Sequence, residues 1–77
     1  MKDDMAQIAD RVRGVIAEKR LDQEAVASIL GISRQSVSQR LRGKVAFTAP
    51  ELFRLAVALS LPVWRFYPEV PALGRVA

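Results

Sequence analysis

Near the start of the chain, apolar side chains fall at Met5, Ile8, Ala9, Val12, Val15 and Ile16, a three-and-four spacing that gathers them on one face of an α-helix. This predicts helix one from about Asp3 to Arg20, with Asp3 and Asp4 at its electropositive start and Lys19 and Arg20 at its electronegative end. Gly14 inside it costs about 1 kcal/mol relative to alanine, either to admit a neighbouring element or for no structural return. The period breaks at Leu21-Asp22. Asp22 is the predicted N-cap of a shorter helix two carrying Val26, Ala27, Ile29 and Leu30, and Gly31 stops it, because glycine takes a left-handed backbone without steric penalty. Ile32 then forms a buried link, and Ser33 caps helix three, which ends at Gly43. Two short helices joined by a glycine-containing turn are the signature of a helix-turn-helix. Thr48, Pro50 and Glu51 restart helix as cap, first-turn proline and capping-box partner, and helix four presents Leu52, Leu55, Ala56 and Leu59 on one side. From Pro62 a short helical turn runs through Val63, Trp64, Arg65 and Phe66. The stretch "PEVPALGRVA" has two prolines and no period, so an all-α domain over 1–67 and an extended or mobile tail over 68–77 are expected.

A length of 77 residues suits one small domain with a modest core. The chain has no cysteine and no histidine, so it lacks disulfides, the usual metal ligands and the commonest general base. Neither a nucleophile with a base nor a glycine-rich phosphate loop is evident. We therefore expect no enzyme, no metal and no cofactor. Apolar runs fall far short of the roughly 18 residues of a membrane span, and no leader pattern follows Met1, which predicts a soluble, cytoplasmic protein with no membrane role.

Charge sharpens the picture by its location. Between Ala25 and Pro50 the charged residues are Arg34, Arg40, Arg42 and Lys44, all basic, whereas the rest of the chain balances to zero; the net charge of +4 thus sits in the predicted helix-turn-helix. A local basic excess is the footprint of a polyanion partner, and the competing reading is an ordinary solvated helix face. On helix three, Val37 and Leu41 share one side, while Arg34, Gln35, Ser38, Gln39 and Arg42 spread over the other. In the major groove of DNA, arginine matches the two acceptors of guanine and glutamine matches the donor and acceptor of adenine, each pair discriminating by about 1–3 kcal/mol. Arg34, Gln35 and Gln39 are chemically suited to such contacts, and a carboxylate among them would be repelled by phosphate.

The run "LDQEAVASILGISRQSVSQRLRGK", Leu21 to Lys44, resembles the helix-turn-helix of the lambda-repressor-like (XRE) family of phage and bacterial regulators. The shared elements are Gln23 opening helix two, Ala27, the turn glycine Gly31, the cap Ser33, the buried Val37 and the closing Gly43; "LFRLAVALSL" extends the likeness through helix four. The resemblance implies a compact five-helix domain whose helix three enters the major groove of double-stranded DNA. Arg34, Gln35 and Gln39 would then face base edges with Ser38 nearby. Gln23 would bind a phosphate, aided by the positive end of helix two, and Arg42 and Lys44 would be further phosphate contacts. Ser33 would either cap helix three or touch a phosphate. Family members usually carry glutamate at the position of Leu41, in some paired with a helix-one arginine where this chain has Ile16. An apolar Ile16–Leu41 contact is expected to replace that pair, and Arg40, flanking the core side, ranks below the other contacts.

Such proteins commonly dimerise on two half-sites about 34–36 Å apart, which implies a homodimer on a palindromic operator. Phe53, Val57, Val63 and Trp64 exceed what the helix-four stripe requires and are candidates for that interface, with closure of a small core as the alternative for Trp64 and, more strongly, for Phe66. The expected function is a sequence-specific transcriptional regulator, a small repressor of the phage type without a ligand-sensing module, acting in a bacterial cell or phage-infected host. The rival is a protein-interaction module, such as an antitoxin whose helix-turn-helix autoregulates and whose proline-rich tail binds a toxin.

Overall fold

The computed structural model describes residues 3–68. Helices α1 (Asp4–Glu18), α2 (Gln23–Leu30), α3 (Arg34–Leu41) and α4 (Ala49–Leu59) are followed by a 3-10 turn at Val63–Phe66. There is no strand among the described residues, in agreement with the all-α expectation. The expected fifth helix is this single turn. Pro62 starts it, the Arg65 N–H donates to Pro62 O three residues back at 3.1 Å, and Tyr67 is already extended, so no α-helical ladder has room to form. Beyond Pro68, the expected tail lies outside the described residues.

Each of the four α-helices among the described residues begins on a side-chain cap. Asp3 accepts from the Ala6 N–H at 2.7 Å, Asp22 from Ala25 at 2.8 Å, Ser33 from Ser36 at 3.0 Å and Thr48 from Glu51 at 3.2 Å. Each cap satisfies a donor that the first helical turn leaves without an intrahelical partner, and contributes about 1 kcal/mol. The four helix ends also share one geometry. The N–H groups of Leu21, Ile32, Lys44 and Leu61 reach back five residues to the carbonyls of Ile16, Ala27, Gln39 and Ala56 at 2.9–3.2 Å. This closure requires a left-handed residue just before the donor, and those residues are Arg20 (φ 57°), Gly31 (φ 69°), Gly43 (φ 76°) and Ser60 (φ 56°). Helix one therefore stops two residues earlier than the periodicity predicts, and Arg20 occupies a conformation suited to glycine.

The core joins Val12, Val15 and Ile16 of α1, Val26, Ala27 and Leu30 of α2, Val37 and Leu41 of α3, Leu52, Leu55 and Ala56 of α4, and Phe66 of the last turn. Phe66 is fully buried, as the core reading of that residue requires. Ile16 and Leu41 lie in the same cluster, so the helix-one position matching the family's arginine is apolar and faces the same core as its counterpart.

Helix α3 packs on α1 and α2, but no Cα of α3 comes within 8 Å of one in α4. A polar bridge spans that gap. Arg40 Nε donates to Glu51 Oε1 at 2.9 Å, the Thr48 N–H donates to the same oxygen at 3.0 Å, and Arg40 Nη1 donates to Ser36 O at 3.2 Å. Glu51 is buried and belongs to the capping box of α4. Its burial raises the carboxyl pKa, but the Arg40 hydrogen bond, the Thr48 N–H and the Arg40 charge outweigh this and hold it below the ordinary value of 4.5.

Nothing lies within 4 Å of a Cβ built on Gly14, so close approach does not explain this glycine, while Arg20 lacks one it could use. Gly14→Ala and Arg20→Gly should each raise stability by about 0.5–1 kcal/mol, read as a rise of a few degrees in Tm. Because the Glu51 pKa is lower folded than unfolded, its stabilisation is complete above pH 4.5 and is lost as pH falls through the depressed folded value. Urea denaturation at successive pH values should show an acid limb that Glu51→Gln makes shallower.

Candidate nucleic-acid interface

Helix α3 has eight residues, of which Val37 and Leu41 are buried. These two anchors, four apart, fix which side faces the core. Arg34, Gln35 and Gln39 are consequently exposed, Ser38 is half-buried between the two sides, and Arg42 and Lys44 are exposed just past the last turn. The structure thus brings together the predicted base readers on an outer face that contains no carboxylate.

Ser33 is the N-cap of α3, and its hydroxyl donates to Ser36 Oγ at 2.9 Å while accepting the Ser36 N–H. The cap role is satisfied; a phosphate contact would require the hydroxyl proton to leave Ser36. Gln23 and Arg34, from the first turns of α2 and α3, line a common cleft of about 340 Å³ together with Asp22 and Glu24. The sequence treated the start of α2 as a positive end for phosphate. Asp22 modifies this, because its carboxylate takes the Ala25 N–H and puts negative charge at the same end. An anion entering the cleft would meet Asp22 and Glu24 as well as Gln23 and Arg34.

Arg40 does not join the exposed basic face. Its side chain retains 15% of its accessible surface and is committed to Glu51, so the residue ranked below the other contacts from sequence is a structural link. Two further arginines seal the helix-turn-helix and were not legible from pattern. Arg54 Nη1 on α4 donates to Leu30 O, the last carbonyl of α2, at 3.2 Å, and Arg13 on α1 donates to Leu41 O at the end of α3 and to Asp10. Each puts a cation at the electronegative end of a helix. An Arg65–Glu18 pair at 3.0 Å ties the last turn to α1.

The candidate interface between copies lies on a different surface. Phe53, Val57 and Trp64 remain 63%, 63% and 67% exposed, and Val63 is also exposed. Trp64 therefore does not close the core. Phe53 and Val57 are four residues apart on α4, opposite its buried Leu52, Leu55 and Ala56. No helix among the described residues is long and apolar enough to cross a membrane.

Comparison with known proteins bears on this architecture. The chain is 32% identical over 65 residues to an uncharacterised transcriptional regulator in the ATPase CF(0) region of Rhodospirillum rubrum, covering 84% of this chain and 60% of that relative's length. Its fold superposes on a transcriptional regulator from Listeria innocua with a TM-score of 0.75, at 22% identity and covering 84% of this chain and 61% of that one. The restriction-modification controller protein C.AhdI from Aeromonas hydrophila matches with a TM-score of 0.73 at 25% identity, over 82% and 96% of the two chains. A hypothetical transcription factor, NHTF, from Neisseria gives 0.75 at 25% identity, over 95% and 82%. The helix-turn-helix family itself matches residues 12–63, from the core of α1 to the start of the last turn, and the chain belongs to this lambda-repressor-like (XRE) family of helix-turn-helix proteins.

Proposed function

We propose that this protein is a sequence-specific regulator of transcription that lays α3 in the major groove of double-stranded DNA. The observation that carries this reading is the exposed, carboxylate-free face of α3, with Arg34, Gln35 and Gln39 outward and Arg42 and Lys44 beside them. N-terminal residues of a recognition helix lie deepest against base edges. Arg34 and Gln35 are therefore assigned to direct reading, Gln39 to the next turn, and Ser38 to the margin of the contact. Gln23, Arg42 and Lys44 are assigned to phosphates, which position the helix and add salt-dependent affinity without choosing sequence. Ser33 acts first as the cap. The regulators among the similar proteins favour the same reading.

One short helix reads few base pairs, so we assign the exposed Phe53, Val57, Val63 and Trp64 to a symmetric contact between two copies on a palindromic operator. Occupying a promoter in this way would make the protein a small repressor of the phage type, acting with the DNA in the cytoplasm.

Fluorescence anisotropy on duplexes selected from a random pool tests both parts. Gln35→Ala should cost about 1–3 kcal/mol on the selected site and remove preference at a single base pair. Arg42→Ala should weaken selected and unrelated duplexes alike and lower the salt slope by about 0.9. A second test concerns assembly. Val57→Glu should leave the fold intact and abolish the gain in affinity that a two-half-site duplex has over a single half-site. Equal binding of all duplexes by the unaltered protein would sink the reading.

A further inference from the structure

We propose that Arg40 and Glu51 are positioning residues that set the attitude of the reading helix α3 on α4, and so govern sequence discrimination without touching DNA. This inference rests on the proposed DNA-binding function. Its first support is the unequal mounting of α3: its backbone packs on α1 and α2, while every Cα of α4 stays more than 8 Å away. The second is that one atom, Glu51 Oε1, accepts from Arg40 Nε of α3 at 2.9 Å and from the Thr48 N–H at 3.0 Å, where the linker becomes α4. The third is that the fork of Arg40 is fixed at both ends, since Nη1 donates to Ser36 O one turn back on α3. With side-chain exposures of 15% and 10%, the pair is shielded from the solvent that weakens surface ion pairs.

The consequence is geometric. Arg40 directly follows the reader Gln39, and Ser36 directly follows Gln35, so the anchored residues alternate with the reading ones along the same helix. Val37 and Leu41 hold α3 against the core through non-directional contacts, which tolerate a small roll about the helix axis. A charged fork with directional hydrogen bonds resists that roll. Bidentate base contacts need such control, whereas phosphate contacts by long exposed chains such as Arg42 and Lys44 do not.

The test uses the full chain and two variants. Arg40→Met keeps the apolar stem and the Thr48–Glu51 capping box but removes the fork; Glu51→Gln keeps an oxygen for Thr48 while removing the charge, and serves if the first variant does not fold. Anisotropy on the selected duplex and on an unrelated duplex is measured across a salt series, and amide residual dipolar couplings give the orientation of 34–41 relative to 49–59 without DNA. The expected result is a loss of at least tenfold on the selected duplex, less than twofold on the unrelated one, an unchanged salt slope and a reoriented α3. Unchanged couplings with unchanged discrimination would reduce the pair to a stabilising bridge and overturn the proposal. Uniform weakening with a salt slope lower by about 0.9 would make Arg40 a phosphate contact and overturn it as well. If the unaltered protein distinguishes no duplex, the DNA reading fails, and the couplings alone decide whether the pair orients α3.

Discussion

A helix that must present one whole face to a partner can spend few side chains on its own attachment. In α3 that number is two, Val37 and Leu41, and much of the surrounding structure compensates for so thin an anchorage. Ser33 satisfies the start of the helix, Gly43 turns the chain at its end, Arg13 binds the Leu41 carbonyl, and Arg40 ties the last turn to Glu51. Each device acts at an end or on the inward side, so the face bearing Arg34, Gln35 and Gln39 is left uncovered.

The same constraint explains how the basic residues divide. Judged from sequence, the cluster from Arg34 to Lys44 is a single block of charge. In the folded chain Arg40 is spent on an internal pair, and the exposed basic face consists of Arg34, Arg42 and Lys44. The face of α3 and its end therefore carry three exposed cations where the sequence has four, although the net charge, which already counts Glu51, is unchanged. In the proposed complex a larger share of recognition then falls on hydrogen bonds from the helix face, the regime in which sequence is read directly.

Much of this architecture was legible because it depends on local chemistry. Asp22, Ser33 and Thr48 announce three helix starts by residue type, and Gly31 and Gly43 announce two stops; Asp3, expected inside the first turn, is instead the cap of α1. The other two stops were obscured because Arg20 and Ser60 take left-handed backbone without being glycine; hydrogen bonds to Ile16 and Ala56 enforce what residue preference does not. Face assignment on α3 followed from the spacing of Val37 and Leu41. Arg40–Glu51, Arg54–Leu30 and Arg65–Glu18 join residues 11, 24 and 47 positions apart, and no periodicity reports on such pairs. Of the two aromatics in the last turn, Phe66, read more strongly as core, is fully buried, whereas Trp64, for which the sequence left both readings open, is largely exposed.

The proposed function requires that the outer face of α3 meet DNA. Its most direct test is a titration of isotopically labelled protein with a selected duplex, following backbone amides and the side-chain groups of glutamine and arginine. The largest shifts should fall at Arg34, Gln35, Ser38 and Gln39, with smaller ones at Gln23, Arg42 and Lys44, and the Arg40 Nε–H signal should keep the signature of its bond to Glu51. Shifts centred on Phe53, Val57 and Trp64 with α3 unmoved, or no saturable shifts at all, would contradict the proposed function.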